Sequence, residues 1–181
     1  MVFCCSYESE RLNIVKIAIV SGYFNPIHIG HLDYLEGAKA ICDKLIVIVN
    51  NNKQVEIKGS TPFMSEEDRV RIVGVLRCTD KVVLSRDKDS SVLETLKHVV
   101  IQNQANGRNT FVFCNGGDRG DSNTPEEEFC SNNPYQLTSQ YNVGGSKTES
   151  SSVLINNAAK MQRESQDELK KIDKVLKEFN L

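Results

Sequence analysis

The sequence predicts an α/β fold, a Rossmann-like doubly wound parallel sheet with flanking helices. Three observations predict it. Short β-branched runs alternate with stretches of helical periodicity, those runs are apolar on both faces as in a covered parallel sheet, and 181 residues suit a single domain around one core.

The elements follow in order. Ile14 to Gly22 is a mostly apolar, β-branched run ending at glycine and reads as the first strand. From Ile29 to Asp43 the residues Leu32, Leu35, Ala38 and Ile41 recur at helical spacing, and Lys44 to Asn50 returns to a short strand. Two further units repeat the alternation, a helix near Ser65 to Arg77 with a strand at Lys81 to Leu84, and a helix near Ser90 to Gln104 with a strand at Thr110 to Cys114. Four parallel strands joined by crossover helices place ligands at the carboxyl ends of the strands, where the strand order reverses. Gly120 to Gly145 is rich in Asn, Ser, Gly and Pro without a period, and is expected to be a long surface excursion, a lid or a substrate loop. Glu164 to Phe179 sets Leu169, Ile172, Val175, Leu176 and Phe179 on one helical face. That helix is expected to pack on the domain, with a homodimer as the alternative. The single domain then has its core at about 14–160 and this helix at about 164–179.

Composition narrows the partners. The net charge of −2 and the scattered basic residues give no footprint for a nucleic-acid backbone or an anionic membrane, so small ligands are expected. No apolar run approaches the roughly 20 residues of a membrane span, and Met1 to Lys16 carries Glu8, Glu10 and Arg11, so a cytoplasmic location is expected. Six cysteines, at 4, 5, 42, 78, 114 and 130, form no C-x-x-C pair and have no histidine at zinc-like spacing, which indicates neither a metal knuckle nor a disulfide framework. Cys42, Cys78 and Cys114 sit in apolar patterns and read as small buried hydrophobes.

The chemistry concentrates after the first strand. In Gly22-Tyr23-Phe24-Asn25-Pro26, Gly22 permits close backbone approach and Pro26 stiffens the turn before the helix. His28 and His31 flank Gly30. Three residues apart at a helix start, the two imidazoles share a direction beside backbone N–H groups that favour an anion, and Gly30 leaves room for a nucleotide. His98, inside a helical pattern, reads as structural.

Strand, glycine turn, Phe-Asn-Pro and His-Ile-Gly-His in that order resemble the signature of the H-x-G-H nucleotidyltransferase superfamily, and the resemblance runs from about Lys16 to Ile155. It extends to four later segments. Ile57-Lys58-Gly59 is similar to a lysine-bearing loop of the superfamily, which implies that Lys58 holds a phosphate. Arg69, with Arg71 as a fallback, matches a phosphate-binding arginine. Asn115-Gly116-Gly117-Asp118 resembles a nucleotide loop of the sugar-phosphate adenylyltransferases, with Asn115 where that branch has lysine. Ser150-Ser151-Ser152 matches a motif that opens a helix and binds nucleotide phosphates, with Lys147 just before it. Taken alone, each segment has a plain structural reading as an exposed lysine, a surface arginine, a turn and a helix N-cap.

The resemblance implies transfer of AMP or CMP from a nucleoside triphosphate, ATP slightly favoured, to a small phosphorylated acceptor such as a sugar or polyol phosphate. Pyrophosphate leaves, and Mg²⁺ arrives with the nucleotide. His28 and His31 would stabilise charge at the α-phosphate while Lys58, Arg69 and the serines hold the triphosphate. A glycerol-3-phosphate-type cytidylyltransferase using CTP is the alternative within the superfamily. A non-catalytic nucleotide-binding regulatory protein is the alternative of another class. An aminoacyl-tRNA synthetase fragment is set aside for want of a Lys-Met-Ser-Lys-Ser loop and a basic tRNA surface.

Overall fold

Alternating side chains give the inner strands of the sheet two apolar faces, and both faces are covered. The computed structural model describes residues 14–104, 108–116, 124–145 and 149–178. Its strands are β1 (Lys16–Gly22), β2 (Lys44–Val49), β3 (Lys81–Leu84), β4 (Thr110–Gly116) and β5 (Leu137–Val143), all parallel in the order β3-β2-β1-β4-β5. The helices are α1 (Ile29–Ala40), α2 (Asn52–Ile57), α3 (Glu66–Gly74), α4 (Leu93–Gln102), α5 (Pro125–Ser131) and α6 (Ser151–Glu178). Ile17 and Ile19 of β1 join Leu96, Val99 and Val100 of α4 on one face. Ala18 and Val20 join Leu35 and Ala38 of α1 and Val73 of α3 on the other. The doubly wound parallel sheet is therefore as expected.

Three elements depart from the sequence reading. The segment 120–145 is no plain excursion, because its described part holds α5 and a fifth strand. Of β5 only Leu137 and Val143 are buried, so it lacks the apolar run that marks the other strands. Helix α5 is seven residues long, too short for periodicity, although Thr124, Pro125 and Glu127 form a capped start. Helix α2 lies where a loop was expected, set by Asn51, whose side chain accepts from Gln54 N at 2.9 Å.

The third departure is α6. It begins at the serine motif and continues unbroken for 28 residues. The apolar face expected to pack on the domain does not: Leu169 is 65% exposed, Ile172 56%, Val175 50% and Leu176 44%. Phe179 lies outside the described residues. Among those residues no helix is long and apolar enough to cross a membrane.

Candidate functional site

From β1 the chain winds through β2 and β3 to one edge of the sheet, then returns past β1 to β4 and β5. The order therefore reverses between β1 and β4, and sheets of this kind leave a crevice outside the carboxyl ends of the strands at such a point. A cavity of about 550 Å³ occupies this point, lined by Gly22, His28, Gly30, His31, Lys58, Asn115, Gly116 and Ser150 to Ser152.

The two histidines owe their geometry to the turn. Phe24, with φ of 49°, is 1% exposed and sits beneath Gly22, where an added Cβ would stand 2.8 Å from the Phe24 ring. This buried ring, 4.9 Å from that of His31, forms the floor under the pair. His28 is the N-cap of α1, and its carbonyl accepts from His31 N at 2.9 Å and Leu32 N at 3.3 Å. The His28 N–H in turn donates to His31 Nδ1 at 3.3 Å, which leaves the His31 proton on Nε2. The imidazoles stack with centroids 3.7 Å apart. Burial, then the charges of His28 and Lys58, push the His31 pKa down to about 3. At neutral pH His31 is therefore a neutral donor through Nε2–H and not a cation.

Among the described residues the cation on this cavity's wall is Lys58, which ends α2. Its Nζ lies 4.2 Å from the centre of the Tyr23 ring, a cation–π contact that holds the flexible amine at the cavity wall. Arg69, expected to hold a phosphate, is engaged by the protein itself. Its side chain is fully buried on α3, and it lines neither this cavity nor its neighbour. Nη1 donates to the carbonyls of Tyr23 at 2.7 Å and Asn50 at 2.6 Å, and Nη2 to Asn52 Oδ1 at 2.8 Å. Arg69 thus ties the turn after β1 to the end of β2 and the start of α2, the segments that carry Tyr23 and lead to Lys58. The reason is geometric: a helix start behind the sheet ends points its guanidinium at the carbonyls just past the ends of β1 and β2. Asn25 is likewise committed, its Oδ1 accepting from Phe63 N at 2.6 Å and its Nδ2 donating to Thr61 O at 2.9 Å.

The far wall comes from β4, β5 and α6. Asn115 is 5% exposed, and its buried Nδ2 has no hydrogen-bond partner among the described residues. A Cβ on Gly116 would meet the Tyr34 ring at 2.6 Å, and Tyr34 donates its hydroxyl to the Cys114 carbonyl. At the start of α6, Ser150 caps the helix by accepting from Val153 N at 3.3 Å, and Ser151 Oγ donates to the Pro26 carbonyl at 2.8 Å. The serine motif is thereby joined to the histidine turn, and the first N–H groups of α6 are left without intrahelical acceptors, a setting for an anion. Gly117, Asp118 and Lys147 lie outside the described residues.

Sequence reasoning missed Tyr34, Val143, Gly144 and Gly145, all on the cavity wall. The Gly144-Gly145 pair was a usable signal, since both residues have φ near 80°. A second cavity of about 440 Å³, also missed, adjoins the first and shares Tyr23, Lys58, Ser151 and Ser152 with it. Val55, Pro62, Phe63 and Ile155 form its apolar side. Outside the site, Cys114 and Cys130 are buried and Cys42 and Cys78 half-buried, all four as free thiols, and His98 lines neither cavity.

The cytidylyltransferase-like family model matches residues 19–129, from within β1 to within α5, and so includes the whole histidine turn. The chain belongs to the cytidylyltransferase-like family. Among curated relatives, the bifunctional protein HldE of Geobacter metallireducens is 35% identical over 97 residues, 52% of this chain and 20% of that one. The FAD synthase of Archaeoglobus profundus is 44% identical over 71 residues, 39% of this chain and 45% of that one. The matches thus span about a fifth to under half of those relatives. In fold, the lipopolysaccharide core biosynthesis protein of Thermoplasma volcanium superposes with a TM-score of 0.57 at 18% identity, covering 75% of this chain and 99% of the other.

Proposed function

We propose that the chain is a single-domain cytoplasmic nucleotidyltransferase that moves AMP or CMP from a nucleoside triphosphate to a small phosphorylated acceptor. The observation that carries this reading is the convergence of His28, His31, Lys58 and the serine-capped start of α6 on one cavity at the strand-order reversal. These groups supply what such a transfer needs, namely donors and positive charge around a phosphate without a covalent nucleophile.

An oxygen of the acceptor phosphate forms a bond to the α-phosphorus as the bridging bond to the β-phosphate oxygen breaks, and pyrophosphate leaves. The neutral His31 donates Nε2–H to an α-phosphate oxygen as charge builds there, and His28 stands stacked beside it. Lys58, at the junction of the two cavities, faces both the attacking and the transferred phosphate. The Ser150 and Ser152 hydroxyls and the start of α6 hold the leaving pyrophosphate, and Asn115, whose Nδ2 has no partner among the described residues, lies on the wall of the same cavity. Mg²⁺ would be carried in by the triphosphate and held through its phosphates. Mg²⁺ bound there neutralises phosphate charge.

The acceptor occupies the adjoining cavity, its phosphate at Lys58 and its body against Val55, Pro62, Phe63 and Ile155. Similarity to a protein named FAD synthase, whose product carries an adenylyl group, favours ATP over CTP. Pyrophosphate release, measured with ATP or CTP and Mg²⁺ over sugar phosphates, polyol phosphates and FMN, tests the reading. Release that depends on one acceptor supports it. Nucleotide binding without release for every acceptor points instead to a regulatory nucleotide-binding protein and overturns it.

A further inference from the structure

The second cavity, of about 440 Å³, falls in the size range of small-molecule sites, about 300–1,000 Å³. Its walls differ in chemistry. On one side Val55 is 1% exposed, Pro62 and Ile155 are half-buried, and Phe63 is 60% exposed, so an apolar surface ends in an uncovered ring. A lone exposed aromatic is ordinary, but this one borders a concavity and its backbone is held. The Phe63 N–H donates to Asn25 Oδ1 at 2.6 Å, the Met64 N–H reaches the same oxygen at 3.4 Å, and Asn25 Nδ2 donates to the Thr61 carbonyl at 2.9 Å. Asn25 is 5% exposed and belongs to the histidine turn. The backbone that bears Phe63 is therefore fixed to the reacting site, while the Phe63 ring stays open to solvent.

The polar side chains make no such offer to a row of hydroxyls. Asn25 is committed, and Ser151 Oγ donates to the Pro26 carbonyl at 2.8 Å. Ser60, Thr61, Ser152 and Asn156 are exposed, so a polyol would exchange one solvated hydrogen bond for another, at little net gain. Among the described residues no carboxylate lines this cavity, and its cation, Lys58, lies over the Tyr23 ring. A cationic acceptor would find no counter-charge there, and an ammonium already faces the Tyr23 ring.

We propose that the acceptor carries a neutral, planar ring system that stacks on Phe63 while its phosphate reaches Lys58. This acceptor class rests on the transfer reading above and narrows it to phosphate monoesters of ring-bearing alcohols. The attacking oxygen and the leaving pyrophosphate are unchanged. Stacking covers the exposed face of Phe63 and takes water off Val55, Pro62 and Ile155. Asn25 is the positioning residue that keeps this platform in register with the histidine turn.

Two measurements on the full chain test this. Equilibrium dialysis reads acceptor binding with and without Mg²⁺ and α,β-methylene-ATP, which is not cleaved, and pyrophosphate release reads turnover with ATP. The probes are FMN and pyridoxine phosphate, set against ribitol phosphate, which has the chain and phosphate of FMN without its ring, and against phosphocholine. The ring phosphates are expected to bind at least about tenfold tighter than the other two. Phe63→Ala is expected to weaken the ring phosphates about tenfold, the scale of one buried aromatic contact, and ribitol phosphate by less than about twofold, with Phe63→Tyr restoring the preference. Ribitol phosphate binding as tightly as FMN, or a ring preference that survives Phe63→Ala, overturns the ring site, and pyrophosphate release in that case leaves the transfer reading standing. Ring-selective binding that needs Phe63 but yields no pyrophosphate supports the ring site and overturns transfer. Failure of every probe to bind overturns the ring site.

Discussion

Replacing Arg69 by methionine separates the two tasks assigned to it. The substitution keeps an apolar stem of similar length on α3 and deletes the guanidinium, which donates to the carbonyls of Tyr23 and Asn50 and to Asn52 Oδ1 at 2.6 to 2.8 Å. Charge-assisted hydrogen bonds contribute about 1.5–3 kcal/mol each, and a buried carbonyl left without a donor costs about 1–3 kcal/mol. Against this, the guanidinium is wholly buried, and burial pushes its pKa down. Removing the charge recovers that desolvation. The balance is a loss of about 3–5 kcal/mol, three unpaired acceptors at about 1–3 kcal/mol each less the recovered desolvation. With a urea m-value of about 2 kcal/mol/M, the unfolding midpoint falls by about 1.5–2.5 M. Arg69→Lys restores part of the loss, since one ammonium reaches some of the three acceptors. Urea unfolding followed by circular dichroism measures stability, and calorimetric titration with ATP measures binding in what remains folded. A midpoint shift below about 0.5 M together with a tenfold or greater loss of ATP affinity would refute the clamp and restore Arg69 as a phosphate ligand.

Three further outcomes follow from the site. His31→Ala is expected to lower turnover about 10²- to 10³-fold, the effect of losing one preorganised donor, with a Tm change of only a few degrees; equal loss of folding would make His31 a packing residue. Because the His31 pKa is about 3 when folded and about 6.5 when unfolded, its contribution is complete above pH 6.5 and is lost as pH falls towards 3, at up to about 1.4 kcal/mol per pH unit. Urea unfolding at pH 7 and pH 5 should therefore show a loss of about 2 kcal/mol that His31→Gln abolishes, and an unchanged slope in that variant would sink the assignment. Gly144→Ala should cost about 3 kcal/mol, since its φ is 83° and a Cβ would stand 2.5 Å from Tyr34 Cα and 2.7 Å from the Asp33 carbonyl, backbone atoms that have no rotamer to escape to; a loss below about 1 kcal/mol in urea would show that the β5 end yields.

Legibility varied with how far a residue's partner lies along the chain. The strands β1, β2 and β4 were readable because a strand covered on both faces must be apolar at nearly every position, and Ile17 to Val20 and Leu45 to Val49 are all buried. Strand β5 was not, since its middle residues alternate between partial burial and exposure and its pairing with β4 is a contact between separate segments. His28 and His31 were readable because a turn, an N-cap and a helical interval of three are local. The hydrogen bonds of Arg69 were not legible for the converse reason. Its three acceptors lie 17 to 46 residues away, and no nearby residue tells a buried arginine from one on a surface.

By itself the sequence determined the parallel α/β sheet, the histidine turn at its first crossover and the helical character of the chain after the serines. Those properties follow from periodicity and turn chemistry, which act over a few residues. Only the tertiary structure decided that His31 is neutral, because burial and the neighbouring charges of His28 and Lys58 set its pKa. It also decided that Lys58 sits between two cavities, that Arg69 braces the strand ends, and that α6 carries its apolar seam away from the domain. Each of these depends on which surfaces meet in space, and local pattern records only that a side chain prefers to be covered.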